Sequence, residues 1–237
     1  MRALVTGASS GIGLELARLL AADGHELTLV ARRADVLDKI ATELGGARTI
    51  ALDLGDAASV AAIVEAVPDI DFLVNNAGFG DFGEFGSSDL ARQLSMIDLN
   101  VRALTELTHR YLAGMLARRN GRVLNLASTA SFQPGPLMAT YYATKAYVLS
   151  FSEALSEETR GTGVTVTALC PGPTASGFQE ASSLESSKLV AGRKLPTAAE
   201  VAKVGYAAML GGKAVVVPGA RNRLLAGSIR LMPRPLV

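Results

Sequence analysis

Residues 1–20 read MRALVTGASSGIGLELARLL, and this stretch decides the fold. A short apolar strand over 2–6 breaks at Gly7. Gly7, Gly11 and Gly13 then follow in the spacing G-x-x-x-G-x-G, and Leu14, Leu16, Ala17, Leu19 and Leu20 recur at helical spacing. Strand, glycine turn and helix start in that order make an anion site. Glycines let the backbone approach a pyrophosphate, and a helix N-terminus offers free N–H groups and the positive end of its dipole. The candidate cradle comprises Gly7, Ser9, Ser10, Gly11, Ile12 and Gly13. A glycine-rich turn can also be no more than a tight turn, so its context carries the argument.

Working outward, apolar runs at 27–31, 48–52, 70–74, 122–127, 164–169 and 213–217 read as strands. Most are separated by stretches of helical period, which marks βαβ units and a right-handed, parallel, doubly wound α/β sheet. A helix over 56–67 is stopped by Pro68, and a long helical region over 89–118 contains Asn100. Asn is a poor interior helix residue, so a local distortion with a purpose is one reading there. Thr197-Ala198-Ala199-Glu200 is a capping box that opens a helix to about Leu210. The second strand ends Val30-Ala31-Arg32-Arg33, without the acid that commonly binds a ribose 2′-hydroxyl at this point. Two guanidiniums there suit a 2′-phosphate, Arg32 ahead of Arg33; the alternative is that both are solvated charges opening the next helix.

Tyr141 and Lys145 stand four residues apart on a helix reading, hence on one face and one turn apart. A cation that close favours phenolate and pulls a tyrosine towards the range of an acid–base catalyst. Ser128, thirteen residues before Tyr141, ends the strand over 122–127 and can hold a carbonyl oxygen at the same point. Ligands of open α/β sheets bind beyond the carboxyl ends of the strands, which puts Ser128, the glycine turn, Asp53 and Asn75 on one rim.

Composition narrows the class. At 237 residues with 49% hydrophobic and 5% aromatic content, the chain suits one large domain over a Val/Leu/Ala-rich sheet. A net charge of +1 gives no argument for a nucleic-acid partner. The single Cys170 cannot form an internal disulfide, and two distant histidines argue against a protein-built metal site. A cytoplasmic protein is expected, with no apolar run long enough to span a membrane. Residues 175–196, rich in serine, suit a substrate lid. The basic segment 219–237 carries Arg221, Arg223, Arg230 and Arg234 without an acid. It reads as a helix whose Leu224, Leu225 and Ile229 pack on the domain or a sister subunit, a membrane-surface role being the alternative.

Together T-G-A-S-S-G-I-G, Asp53, N-N-A-G at 75–78, Asn100, Ser128, Y-Y-A-T-K at 141–145 and P-G-P-T at 171–174 resemble the short-chain dehydrogenase/reductase family. The resemblance runs from residue 2 to about 217. It implies a Rossmann-type fold with a seven-stranded parallel sheet, a nicotinamide cofactor, and a small-molecule carbonyl or alcohol as substrate. By the same resemblance Tyr141 is the general acid/base, Ser128 orients the substrate oxygen, and Lys145 holds the nicotinamide ribose and lowers the tyrosine pKa. Asn100 positions a water in a proton relay. Asp53 and Leu54 meet the adenine, Asn75, Ala77 and Gly78 line the adenosine side, and Pro171, Gly172, Thr174 and Ser176 meet the carboxamide end. The Val-Ala-Arg-Arg ending looks like members that use NADP(H), and a homodimer or homotetramer is implied. A catalytically silent dinucleotide sensor or scaffold of the same fold is the rival reading.

Overall fold

The computed structural model describes residues 1–175 and 195–229. Chain order is β1 (Arg2–Thr6), α1 (Gly11–Ala22), β2 (Glu26–Ala31), α2 (Ala34–Glu43), β3 (Arg48–Ala51), α3 (Ser59–Ala66) and β4 (Phe72–Asn75). Then come α4 (Leu90–Ile97), a π-helical turn (Asp98–Ala103), α5 (Leu104–Arg118), β5 (Gly121–Leu126), α6 (Ala139–Glu158) and β6 (Val164–Leu169). The described chain closes with α7 (Ala198–Leu210), β7 (Val215–Val216) and α8 (Ala220–Ile229). All seven strands run parallel in the order β3-β2-β1-β4-β5-β6-β7. The order reverses between β1 and β4, so a crevice opens there at the carboxyl ends of the strands.

Strand parity builds the two cores. In β1, Ala3 and Val5 join Leu16, Leu20, Leu29, Val201 and Met209 on the face covered by α1, α2 and α7. Leu4 points the other way, into Val30, Ile63, Leu73, Leu107, Tyr111 and Met115 beneath α3 and α5. Fully parallel sheets are buried on both faces, which is why these strands read as near-continuous apolar runs.

Several boundaries shift from their sequence readings for local reasons. The helix expected from 56 starts at Ser59, because residues 53–58 form a turn in which Asp56 N donates to Asp53 O and Ser59 Oγ donates to the same carbonyl. Strand β7 keeps only two residues of the expected 213–217. The helical region over 89–118 does run through, opened by an Asp89 cap, and widens into the π turn around Asn100. The Thr197 capping box forms as read. Ala175 pairs with Thr197 in an isolated parallel bridge, and Ala175 N donates to Pro196 O at 2.9 Å. The expected lid therefore starts and ends at one point, while residues 176–194, including Ser176, lie outside the described residues.

The basic helix over 219–237 is helical across Ala220–Ile229, and its remainder lies outside the described residues. Its expected apolar face does not pack on the domain: Leu224 is 74% exposed, Leu225 is also exposed, and only Ala226 is buried. No helix among the described residues is long and apolar enough to cross a membrane.

Candidate active site

The crevice between β1 and β4 is built mainly from backbone. Ser10 caps α1 in extended conformation, yet its hydroxyl makes no capping bond, so the first amides of α1 keep no side-chain partner. Gly7 takes a left-handed φ of 64°. A Cβ there would stand 2.7 Å from Asn76 Nδ2, and one on Gly13 would stand 2.3 Å from the same nitrogen and 2.5 Å from Gly7 O. The turn is therefore closed from below by Asn76, whose Nδ2 donates to Thr6 O and Gly7 O at 3.0 and 3.1 Å. Thr6 Oγ1 completes the clasp, accepting from Asn76 N and Ala77 N and donating to Val74 O. At the far end of the crevice, Arg32 lies 3.7 Å from Asp53 Oδ2, with its side chain 78% exposed. The other Asp53 oxygen accepts from Gly55 N at 2.9 Å.

Across the switch point the site is made of buried side chains. Strand β5 delivers Ser128 to a short 3-10 turn, where its Oγ accepts from Ala130 N and reaches Pro171 O. The Ser128 hydroxyl stands beside the Tyr141 phenol and favours its phenolate. One turn along α6, Lys145 is 4% exposed and its Nζ donates to Leu126 O at 2.6 Å. That ammonium sits 5.9 Å from the centre of the Tyr141 ring. Ser131 ties the strand end to the helix: its Oγ accepts from Ser128 N and donates to Lys145 O at 2.7 Å. The π turn brings in Asn100, which bonds Phe79 N and O through its two amide atoms and donates to Thr144 Oγ1 at 3.1 Å. Gly78 packs closely between these groups, since a Cβ there would lie 2.8 Å from Asn100 Oδ1 and 3.6 Å from Lys145 Nζ.

Over residues 1–186 the chain matches the family described as short chain dehydrogenase. It belongs to that family. Over 182 residues it is 46% identical to a Streptomyces virginiae protein named for ketoacyl reduction in the monensin polyketide synthase, spanning 72% of this chain and 69% of that one. YvrD of Bacillus subtilis, an uncharacterized oxidoreductase, is 36% identical over 177 residues, or 72% of this chain and 67% of its own. A solved short-chain dehydrogenase from Sphingobium yanoikuyae, in complex with NADPH, superposes with a TM-score of 0.86 at 31% identity. That match spans 97% of this chain and 93% of the other. The chain is thus an oxidoreductase of a family that binds nicotinamide dinucleotides, and the glycine turn leading into an α1 start that Ser10 leaves uncapped fits such a group.

In this short-chain dehydrogenase the electrostatics depart from the spacing argument. Burial pushes the Tyr141 phenol up to about 12, opposed by Ser128. Burial likewise brings Lys145 down to about 8, opposed by Cys170. The expected downward pull of Lys145 on the phenol is not among the causes, because the ammonium is turned to Leu126 O rather than to the hydroxyl. Burial of the phenol is the larger effect.

Three further expectations change with the geometry. Asn75 does not turn its amide towards the adenosine side. It is buried in the sheet, donating to Thr108 Oγ1 at 3.0 Å and Asn125 Oδ1 at 2.9 Å, and Asn125 continues to Ser152 on α6. Asn100 commits its side chain to Phe79 and Thr144, which leaves only its backbone carbonyl for a relay water; a π turn, with one residue too many, leaves such carbonyls short of partners. The Leu54 side chain is buried against Val60 and Ile63, so it offers the rim its backbone. Ala77 and Thr174 stay at the rim, Thr174 with its hydroxyl on Gly172 O. The sequence reading missed Thr6, Asn76, Ser131 and Thr144. Thr6, Asn76 and Thr144 lie inside the quoted motifs, and for the first two the neighbouring glycines were the available signal.

Proposed function

We propose that the protein reduces a carbonyl to an alcohol with NADPH, Tyr141 delivering the proton. The observation that carries this reading is the Tyr141 phenol, buried, kept neutral at physiological pH and set beside Ser128 and Lys145. Bound in the crevice, the dinucleotide supplies the hydride that reaches the carbonyl carbon. The chain does the rest. Ser128 holds the carbonyl oxygen, and Tyr141 gives its proton to that oxygen as it takes the electron pair of the C=O π bond. A poised acid and an oriented donor at developing charge are each worth about two to four orders of magnitude. Lys145 stands beneath the phenol to offset the phenolate that remains. A neutral phenol is the form that donates, which favours reduction over oxidation.

Coenzyme choice rests on Arg32. Ala31 at the end of β2 neither accepts from a 2′-hydroxyl nor repels a 2′-phosphate, and the Arg32 guanidinium is exposed on the rim. The Streptomyces relative named for ketoacyl reduction and the neighbour solved with NADPH support the same reading. It includes a cytoplasmic homodimer or homotetramer, for which the groove of about 660 Å³ beside Val101, Thr105, His109 and Tyr147 offers a surface.

Tyr141→Phe tests the mechanism. Turnover of any accepted aldehyde or ketone, followed by NADPH absorbance, should fall at least about a hundredfold while NADPH binding stays within about twofold. Near-normal turnover in the variant removes the mechanism. NADPH binding without turnover of any carbonyl by the wild-type protein favours the sensor instead.

A further inference from the structure

The mouth above Tyr141 is lined by one chemistry. Met96, Ala130, Met138 and Tyr141 form a small buried cluster; Phe79 and Phe82 pack against it from the loop after β4, and Tyr142 from the first turn of α6, just past the loop over 133–138. The loops are clasped to one another where Gly83 N donates to Leu137 O at 2.9 Å. Leu137 adopts a left-handed φ of 65°, a conformation that bulky side chains rarely take, and its side chain stays 45% exposed. Pro134 and Pro136 stiffen the approach, and Tyr142 closes over Gly135, where a Cβ would lie 2.3 Å from its ring. Across the clasp, two residues past Gly83, Phe85 is 62% exposed. Strain spent to hold an apolar side chain in the open has a use only if something apolar covers it.

The cation of this rim, Arg92, is already paired. Asp81 accepts from Arg92 Nε at 2.7 Å and from Gln93 Nε2 at 2.8 Å, and the Arg92 guanidinium lies 5.2 Å from the Phe79 ring centre. A carboxylate or phosphate on the substrate would meet a cation whose countercharge is in place. An alkyl or ring substituent would meet Phe82, Leu137 and Phe85.

We infer that the substrate is a ketone bearing an extended apolar substituent, and that Leu137 is a specificity-determining residue that covers it opposite Phe82. This rests on the reading that Tyr141 protonates a carbonyl, and deepens it by naming the substrate class.

The test is a homologous series of 2-alkanones from butanone to nonanone with dihydroxyacetone as the polar comparison. Each added methylene that the rim covers should raise kcat/KM about threefold. Leu137→Asn keeps a residue that tolerates the left-handed bend but removes the apolar surface, and the octanone-to-butanone ratio should fall about tenfold. Phe82→Ser serves as a second variant should Leu137→Asn fail to fold. A flat series, a preference for dihydroxyacetone, or a slope unchanged in both variants overturns the inference. Calorimetric binding of the same alkanones to the protein–NADPH complex separates the two claims. Length-dependent binding without turnover would sink carbonyl reduction and keep the apolar site; turnover without length dependence would do the reverse.

Discussion

The two halves of the active-site crevice are built on opposite principles. On the β1–β4 side the surfaces are backbone amides, glycines and an arginine standing in solvent, joined by contacts such as Arg32–Asp53 that are worth under about 1 kcal/mol at such exposure. On the β5–α6 side the working groups are a buried phenol, a buried ammonium and a buried amide, each held by a partner far away in sequence. The first half offers many small contacts, and apart from its glycines no single side chain holds it together. The second half costs stability, since the Lys145 charge is taken out of water for a single carbonyl partner. The buried groups of the candidate site stand where the fold is under load.

The largest effect that follows is a pH dependence of stability in the cofactor-free protein. Lys145 titrates at about 8 when folded and near its ordinary 10.5 when unfolded. Between those values the unfolded state binds more protons, so stability rises with pH across that window, by as much as ~3 kcal/mol in full, and is flat in this respect below it. Tyr141, held up to about 12, acts in the opposite sense above pH 10. Urea midpoints at pH 7.5 and 9.5 should therefore rise in the wild-type protein and stay level in Lys145→Met. Parallel curves would show that the catalytic half carries no such load.

Smaller effects belong to the other half. Arg32→Ala should raise the apparent constant for NADPH about tenfold more than that for NADH, with turnover at saturation largely kept. Equal weakening of both coenzymes would mean that Arg32 does not read the phosphate. Arg33→Ala should change either coenzyme by less than about threefold, because Arg33 opens α2 through its carbonyl to Leu37 N and its side chain stands exposed a residue beyond the rim. An Arg33 effect as large as that of Arg32 would erase the distinction drawn between them.

The same contrast explains what could be read from the chain alone. The glycine turn was legible because its parts are contiguous: strand, glycines and apolar helix repeat lie within twenty residues. The widening of the helix at Asn100 was legible too, since an amide in a helix interior competes with its own backbone. The partners of the Asn75 amide were not legible, because parity assigns a strand residue to a face but does not say which polar group lies beneath. Its partners Thr108 and Asn125 are 33 and 50 residues away. The phenol and ammonium were recognised by spacing, yet their pKa directions came from burial, which four residues of helix do not reveal. Leu224 and Leu225 were apolar at helical spacing, and helical spacing alone does not supply a surface to pack against.

The bridge between Ala175 and Thr197 has a consequence for how this protein could diversify. The two described ends, Ala175 and Thr197, are fixed beside each other by backbone pairing. A change in the number of residues between them therefore leaves the exit from β6 and the entry to α7 where they are, and the sheet, the glycine turn and α6 keep their places.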